Sequence, residues 1–316
     1  MSRSPVLAEV ARLAGVSVAT ASRVLTGRGP ASAASRDAVL RVAADVGYVP
    51  HPVASRLARG TGTRLLFAVR DSRADILSDP FVTRAATAMA VATEPDGLGV
   101  ALRRLPLDAA AELDRIAVDR SIAAVVLAGH DSLDTVPIRL RGRLSAIGAG
   151  GLDVDSTAGI GALLRHLHAA GRRRIALIGG PSWLAAARVP LRAYTALMRE
   201  SGLPVRAVVG DFTAVRGRAA ARAVLRRWPD TDAIATVSDA TALGVLQALN
   251  TAGIRVPDDI AVTGFDDIPF AACSHPPLST ATHPVELIAA AAARAALAGE
   301  PTSRLFPSHP VLRATA

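Results

Sequence analysis

The 316-residue chain contains no lysine and a single cysteine, Cys273. One thiol excludes an intramolecular disulfide, a cysteine-rich zinc site and a thioredoxin-like pair, so nothing points to an oxidising compartment. Every basic charge is then an arginine, for which a genome-wide base-composition bias is the ordinary explanation. No Gly-Lys-Ser/Thr phosphate loop and no Gly-x-Ser-x-Gly elbow occurs, so no local motif supports phosphoryl transfer or serine hydrolysis. Long apolar runs are also missing. The longest, Leu287 to Ala298, is mostly alanine and holds Arg294; it falls well short of the ~20 residues of a membrane span and reads as a packed helix. The first residues run straight into Glu9 and Arg12 without an apolar stretch of signal-peptide length, so a cytoplasmic protein is expected. His166 and His168, two apart on a predicted helix, point to different faces and do not form a metal pair.

What is present is a globular composition, with half of the residues hydrophobic and a net charge of +9. The length suggests two domains, or one large domain with an appendage. The charge is uneven. Residues 1–60 carry eight arginines against Glu9, Asp37 and Asp45, so more than half of the net charge sits in the first fifth of the chain. A small basic head on a nearly balanced body suggests a polyanionic partner for the head.

Within that head, Val6, Leu7, Val10, Ala11 and Leu13 repeat at helical spacing, and Gly15 supplies a residue that turns the chain at positive φ. Ser17 is a natural N-cap for a second helix, Val18 to Leu25, in which Val16, Ala21, Val24 and Leu25 face inward. Val18, Ala19, Thr20, Ser22 and Arg23 are left on or near the outer face. A helix, glycine turn, helix unit in a basic head is a helix-turn-helix pattern, although any small three-helix bundle shares it. A third helix is expected from an N-cap at Ser32 to about Gly47. Pro50 and Pro52 interrupt the chain, and a short amphipathic segment, Val53 to Arg59, leads into Gly60, Thr61, Gly62 and Thr63, the composition of a linker.

Three runs, VARLAGVSVATASRVLTG (Val10 to Gly27), DVGYVPHPVASRLARG (Asp45 to Gly60) and GFDDIPFAACSHPPLST (Gly264 to Thr280), together resemble the LacI/GalR family of bacterial transcription regulators. The resemblance covers nearly the whole chain in order and is loosest from Arg70 to Leu107. It implies a helix-turn-helix head at 1–50, a hinge helix and linker at 51–63, and an effector-binding and dimerisation body at 64–316. In the head it places Val18, Ala19 and Thr20 against base edges, with Ser17 at the start of that helix and Ser22 and Arg23 along it. Leu57 falls in the hinge helix, where a leucine can wedge between base steps in the minor groove; ordinary packing is the alternative. Val6 stands where the family often has a capping threonine, so the first helix is expected to start at Ser4 and Pro5. Thr26 and His51 replace frequent asparagines, and Val18 and Ala19 favour apolar contact over bidentate hydrogen bonds.

From Arg64 onward, short β-branched or apolar runs alternate with helical stretches. Strands are expected at residues 65–69, 100–103, 123–127, 145–148, 175–179, 205–209, 233–237 and 260–264. The alternation gives an α/β body of two doubly wound units with parallel sheets. The glycines at 148, 150 and 151 mark an expected crossing between them, followed by a helix from Ser156 to about Ala170. The resemblance implies two lobes like those of periplasmic sugar-binding proteins, with an effector in the cleft. It assigns Arg188 as a clamp on effector hydroxyls or carboxylates, Asp266 as an acidic ligand, Phe212 as a stacking aromatic, and Ser238, Asp239, Asp79 and Phe81 as further cleft residues. Ordinary roles compete: a surface salt bridge for Arg188, helix capping for Asp239 and Asp267, core packing for Phe212 and Phe81.

The expectation is therefore a homodimeric regulator, by family habit a repressor, that binds operator DNA and a small effector such as a sugar, with no cofactor and no membrane association. The tail, Leu305 to Ala316, carries no heptads for a tetramer. The alternatives are a sugar-binding protein without DNA function, a nucleoside-responsive regulator or activator, and an enzyme, which would turn over its ligand.

Overall fold

The computed structural model describes residues 6–26, 30–49, 62–148, 150–300 and 302–316. The chain divides into two compact units, 1–63 and 64–316.

The first unit holds helices α1 (Leu7–Leu13), α2 (Val18–Thr26) and α3 (Ala33–Asp45). Val10, Ala11, Ala21, Val24, Val39 and Ala43 meet in one small core, two residues from each helix. Gly15 takes φ +65° between α1 and α2. The Ser17 hydroxyl accepts the Thr20 N–H at 3.1 Å, and Ser32 accepts that of Ser35 at the start of α3. Contrary to expectation, α1 starts at Leu7. Val6 occupies the N-cap in an extended conformation and provides no side-chain cap, while Glu9 lies in the first turn, where a negative charge suits the helix dipole. The hinge segment, including Leu57, lies outside the described residues.

The second unit runs β1 (Arg64–Arg70), α4 (Pro80–Thr93), β2 (Gly99–Leu105), α5 (Ala110–Val118), β3 (Ile122–Ala128), β4 (Leu144–Ile147) and β5 (Leu152–Val154). It continues with α6 (Ser156–Ala169), β6 (Ile175–Ile178), α7 (Arg188–Glu200), β7 (Arg206–Val208), α8 (Ala214–Arg227), β8 (Ala233–Thr236), α9 (Asp239–Thr251) and β9 (Ala261–Thr263). Then come α10 (Pro269–Cys273), β10 (Thr280–Ala281), α11 (Val285–Ala298), β11 (Arg304–Phe306) and β12 (Pro310–Val311). Two parallel sheets result, one in the order β11-β5-β4-β3-β1-β2 and one in the order β7-β6-β8-β9.

Both sheets are covered on both faces, and strand periodicity shows why. In β1, Leu65, Phe67 and Val69 face the cluster built with α4 and α11, while Leu66 and Ala68 face the one built with α5. In β6, Ile175 and Leu177 pack toward α6 and α7, and Ala176 and Ile178 toward α8 and α9. Strands buried on both sides cannot alternate apolar with polar, hence runs such as IALI and IAAVVLA. The first of these cores is shared by both lobes.

The expected crossing at the glycines is corrected. Gly148 and Gly151 belong to a tight turn joining β4 to β5 inside the first sheet, with the Gly151 N–H donating to Gly148 O at 2.8 Å. The chain crosses to the second lobe only after β5, a three-residue strand too short for its pattern to show. It returns after β10 into α11, and crosses again between β11 and β12, which pairs antiparallel with β10.

Candidate functional site: an inter-lobe cleft

The carboxyl ends of strands in both sheets open onto a cavity of about 240 Å3. Parallel α/β sheets place ligand sites there, because loops leaving the strand ends are free to carry chemistry. The first lobe contributes Arg70 at the end of β1 and Arg73 after it, Asp79, Phe81 and Arg84 around the start of α4, and Asp153 from β5. The second contributes Trp183, Phe212, Ser238 and Asp266, and the crossover contributes His283.

Each lobe fixes its residues by local rules. Asp79 is the N-cap of α4: its Oδ1 accepts the Phe81 N–H at 3.0 Å, and Pro80 fills the first helical position. Its Oδ2 accepts from Arg73 at 3.1 Å, and Arg73 also pairs with Asp71. Burial pushes the Asp79 pKa up, against the opposing pull of Arg73. The Phe81 ring stacks on His283, with centroids 5.6 Å apart. Phe212 adopts φ +69°, and its ring lies where a side chain on Gly180 would collide with it, so Gly180 makes room for an aromatic wall.

Asp266 adopts φ +109°, a conformation that carboxylate and amide side chains tolerate better than most and that concentrates at functional sites. Its Oδ1 lies 2.9 Å from His283 Nδ1, and its backbone oxygen accepts from Arg84 at 3.2 Å. Arg84 also donates to the His283 carbonyl and forms a two-pronged ion pair with Glu286 on α11. Asp153 holds the Val154 N–H with Oδ1 at 2.8 Å; burial pushes its pKa up, and the adjacent His283 opposes that shift. His130 is buried on the same wall, its pKa lowered by burial and by Arg70.

Of the expected cleft residues, Asp79, Phe81, Phe212, Ser238 and Asp266 come together, and two do not. Arg188 is exposed at the first position of α7, while its neighbours Ala187, Val189 and Pro190 form the wall. Asp239 is fully buried behind the cleft. Its Oδ1 accepts the Thr280 hydroxyl at 2.6 Å and its Oδ2 the Ile268 N–H at 2.9 Å. A side chain at Gly264 would strike this carboxylate, which explains the glycine of the GFDD run. Ser238 faces the cleft yet also caps α9, accepting the Thr241 N–H. Asp267 pairs with Arg313 at 2.7 Å. Arg73, Arg84, Asp153 and His283 escaped the sequence reading because they stand alone outside recognisable runs, and only the crossing chain brings them together.

In the first unit, Ser17, Val18, Ala19 and Arg23 are exposed on one side of α2, with Thr20 and Ser22 half-buried. The opposite side packs into the core. That presentation matches a helix that reads a DNA groove.

Residues 6–51 match the family described as bacterial regulatory proteins, lacI family, and residues 164–315 match the periplasmic binding protein-like domain. The chain is 31% identical over 308 residues to the HTH-type transcriptional regulator CelR of Thermobifida fusca, covering 92% of this chain and 91% of that protein. It is 30% identical over 300 residues to the lactose operon repressor of Escherichia coli strain K12, covering 87% and 79%. Among solved structures, it is similar to a transcriptional regulator CelR-cellobiose complex at 29% identity, with a TM-score of 0.70 and coverage of 99% and 100%. It shares its fold with a lac repressor dimer bound to operator and the anti-inducer ONPF, at 23% identity, a TM-score of 0.80 and 99% coverage of both chains. The chain therefore belongs to the LacI family of bacterial regulatory proteins, a non-enzymatic family, and is a DNA-binding transcriptional regulator.

Proposed function

We propose that the protein is a cytoplasmic, homodimeric repressor whose two heads bind half-sites of a palindromic operator and whose cleft binds a small sugar as effector. The observation that carries the second half is the cleft itself, which sets aromatic walls at Phe81 and Phe212 beside the polar groups of Asp153, Asp266 and His283. Aromatic faces cover the C–H surfaces of a sugar ring while a few polar groups fix its hydroxyls. The relative solved with cellobiose supports the same reading. The first half rests on the exposed face of α2, since a two-fold protein calls for two-fold DNA.

Control works by population. If the hinge around Leu57 is ordered only when both hinges pack in the minor groove, an effector that changes the lobe arrangement alters how well they meet. Moving such a balance from 1:99 to 99:1 needs about 5.5 kcal/mol of differential binding.

The test is operator binding by the full chain, measured by fluorescence anisotropy, with Leu57→Ala compared on specific and random duplexes. Specific binding is expected to fall far more than non-specific binding, because a wedge matters only on kinked DNA. Equal losses would remove the wedge, and failure of the wild-type protein to bind any duplex at low salt would remove the regulator reading.

A further inference from the structure

A second cavity, of about 310 Å3, opens in the first lobe where β1, β2 and β3 end, and Arg70 and His130 stand on its wall as well as on that of the cleft. Two groups at this cavity lack what burial demands. His130 is 9% exposed, and its Nε2 is buried without a hydrogen-bond partner among the described residues. Burial and Arg70 lower its pKa, so the ring is neutral and carries one donor and one acceptor. A buried nitrogen with no bond is costly and calls for a partner that the chain does not provide. The other is the start of the nine-residue helix α5. No side chain caps it, and its first N–H groups open toward the wall that Ala109 and Ala110 form.

The charges around this cavity are of both signs. Arg70 donates from Nε to the Leu107 carbonyl at 2.8 Å and from Nη1 to the Gly129 carbonyl and Asp131, and its Nη2 has no partner among the described residues. With the partial positive charge of an uncapped helix start, that nitrogen suits a carboxylate. Of the acids, Asp131 is spent on Arg70 and the Ala185 N–H, and Glu112 in the first turn of α5 is held by Arg115. Asp108 is exposed and has no partner among the described residues. Because Arg70 bonds the carbonyl of Leu107, the residue before Asp108, the guanidinium and the open carboxylate adjoin on the wall. A bare anion meets Asp108 there, and a bare cation meets Arg70. A molecule with both charges on neighbouring atoms meets each with its opposite.

We propose that this cavity, separate from the effector cleft, is a binding site for a small zwitterion of the α-amino acid class. The ligand carboxylate lies at Arg70 Nη2 and the start of α5, the ammonium group at Asp108, and an aliphatic side chain against Leu107 and Leu113, which give the cavity an apolar wall. His130 then gains the hydrogen-bond partner it lacks. The assignment does not depend on what the cleft binds.

The experiment is thermal unfolding and calorimetric titration of the full-length protein with alanine, valine and leucine, each beside the amine and the carboxylic acid that lack one of its charges, and with inorganic phosphate. The variants are Asp108→Asn and Asp108→Glu, at an exposed position that lines this cavity and not the cleft. At least one amino acid is expected to raise Tm by several degrees and to bind at least tenfold more tightly than either of its single-charge forms. Asp108→Asn is expected to weaken that amino acid tenfold or more while leaving its carboxylic acid form no weaker. Asp108→Glu, which keeps the charge, is expected to retain more affinity than Asp108→Asn, and equal losses in the two overturn the ammonium contact. A carboxylic acid, an amine or phosphate that binds within threefold of the amino acid overturns the zwitterion assignment. An amino acid whose affinity ignores Asp108→Asn binds elsewhere, which overturns the site. Absence of a shift with every amino acid overturns it as well.

Discussion

Asp131 accepts the backbone N–H of Ala185 through Oδ1 at 2.8 Å, tying the loop after β3 in the first lobe to the loop after β6 in the second. Arg70 strengthens the tie, standing 3.4 Å from Asp131 Oδ2 and 5.5 Å from the centre of the Trp183 ring. These groups lie beside the cleft, so they resist any movement that draws one lobe from the other. A bond to a charged acceptor is stronger than a neutral one, but Asp131 is 41% exposed and its contribution is discounted for solvent.

Asp131→Ala is expected to loosen the lobes without unfolding either. Loss of about 1 kcal/mol of lobe contact raises the half-saturating effector concentration by about three- to tenfold. Fluorescence of Trp183, read in a Trp228→Phe background, reports the lobe contact directly; a titration superimposable on that of the parent would show that the tie does not contribute.

Asp239 predicts how stability depends on pH. Burial, with the charges of Asp266 and Asp267, raises its pKa from 3.8 to about 7, although the Thr280 and Ile268 hydrogen bonds pull the other way. Between about pH 4 and pH 7 the folded protein keeps a proton that the unfolded chain releases, so this residue's contribution is lost as pH rises through that window. The loss is on the order of a few kcal/mol. Urea unfolding at pH 5.5 and pH 8 measures it, and Asp239→Asn is expected to flatten the difference while lowering stability at pH 5.5.

Gly217 and Gly244 bring α8 and α9 together so closely that a side chain on either would collide with a backbone carbonyl of the other helix, Thr241 O and Ala214 O respectively. Backbone cannot rotate away as a side-chain tip can. Gly244→Ala is expected to destabilise the body by about 1–3 kcal/mol or more, the range for overpacking a close-fitted interior. Differential scanning calorimetry checks it, with Gly253→Ala as a contrasting case, where the obstacle is positive φ in open space.

In the head, Ser17→Ala removes the acceptor for the Thr20 N–H and is expected to cost about 1 kcal/mol of helix stability. Arg23→Ala is expected to weaken DNA binding and, if Arg23 meets a phosphate, to lower the slope of log K against log salt by about one. Anisotropy titrations at several salt concentrations separate that outcome from a contact to a base, which would change sequence preference instead.

Much of the fold was legible in the sequence because local chemistry carried it. Gly15, Ser17 and Ser32 marked the ends of the head helices, and the doubly buried strands declared a parallel sheet by their unbroken apolar runs. Asp79, Phe81, Phe212, Ser238 and Asp266, which the family resemblance assigned, all line the cleft. Arg188 lies exposed beside the wall and Asp239 buried behind it, placements the sequence does not give, because it fixes a residue's position along a strand end or helix start whereas a rotation of about 100° per helical residue decides which wall its side chain meets. The sequence by itself determined a basic helix-turn-helix head, an α/β body and membership of a regulator family. Only the tertiary structure decided that Arg73 and Arg84 are spent on neighbouring acids and carbonyls. That arrangement depends on groups from Asp71 to Glu286, far apart along the chain, meeting within a few ångströms.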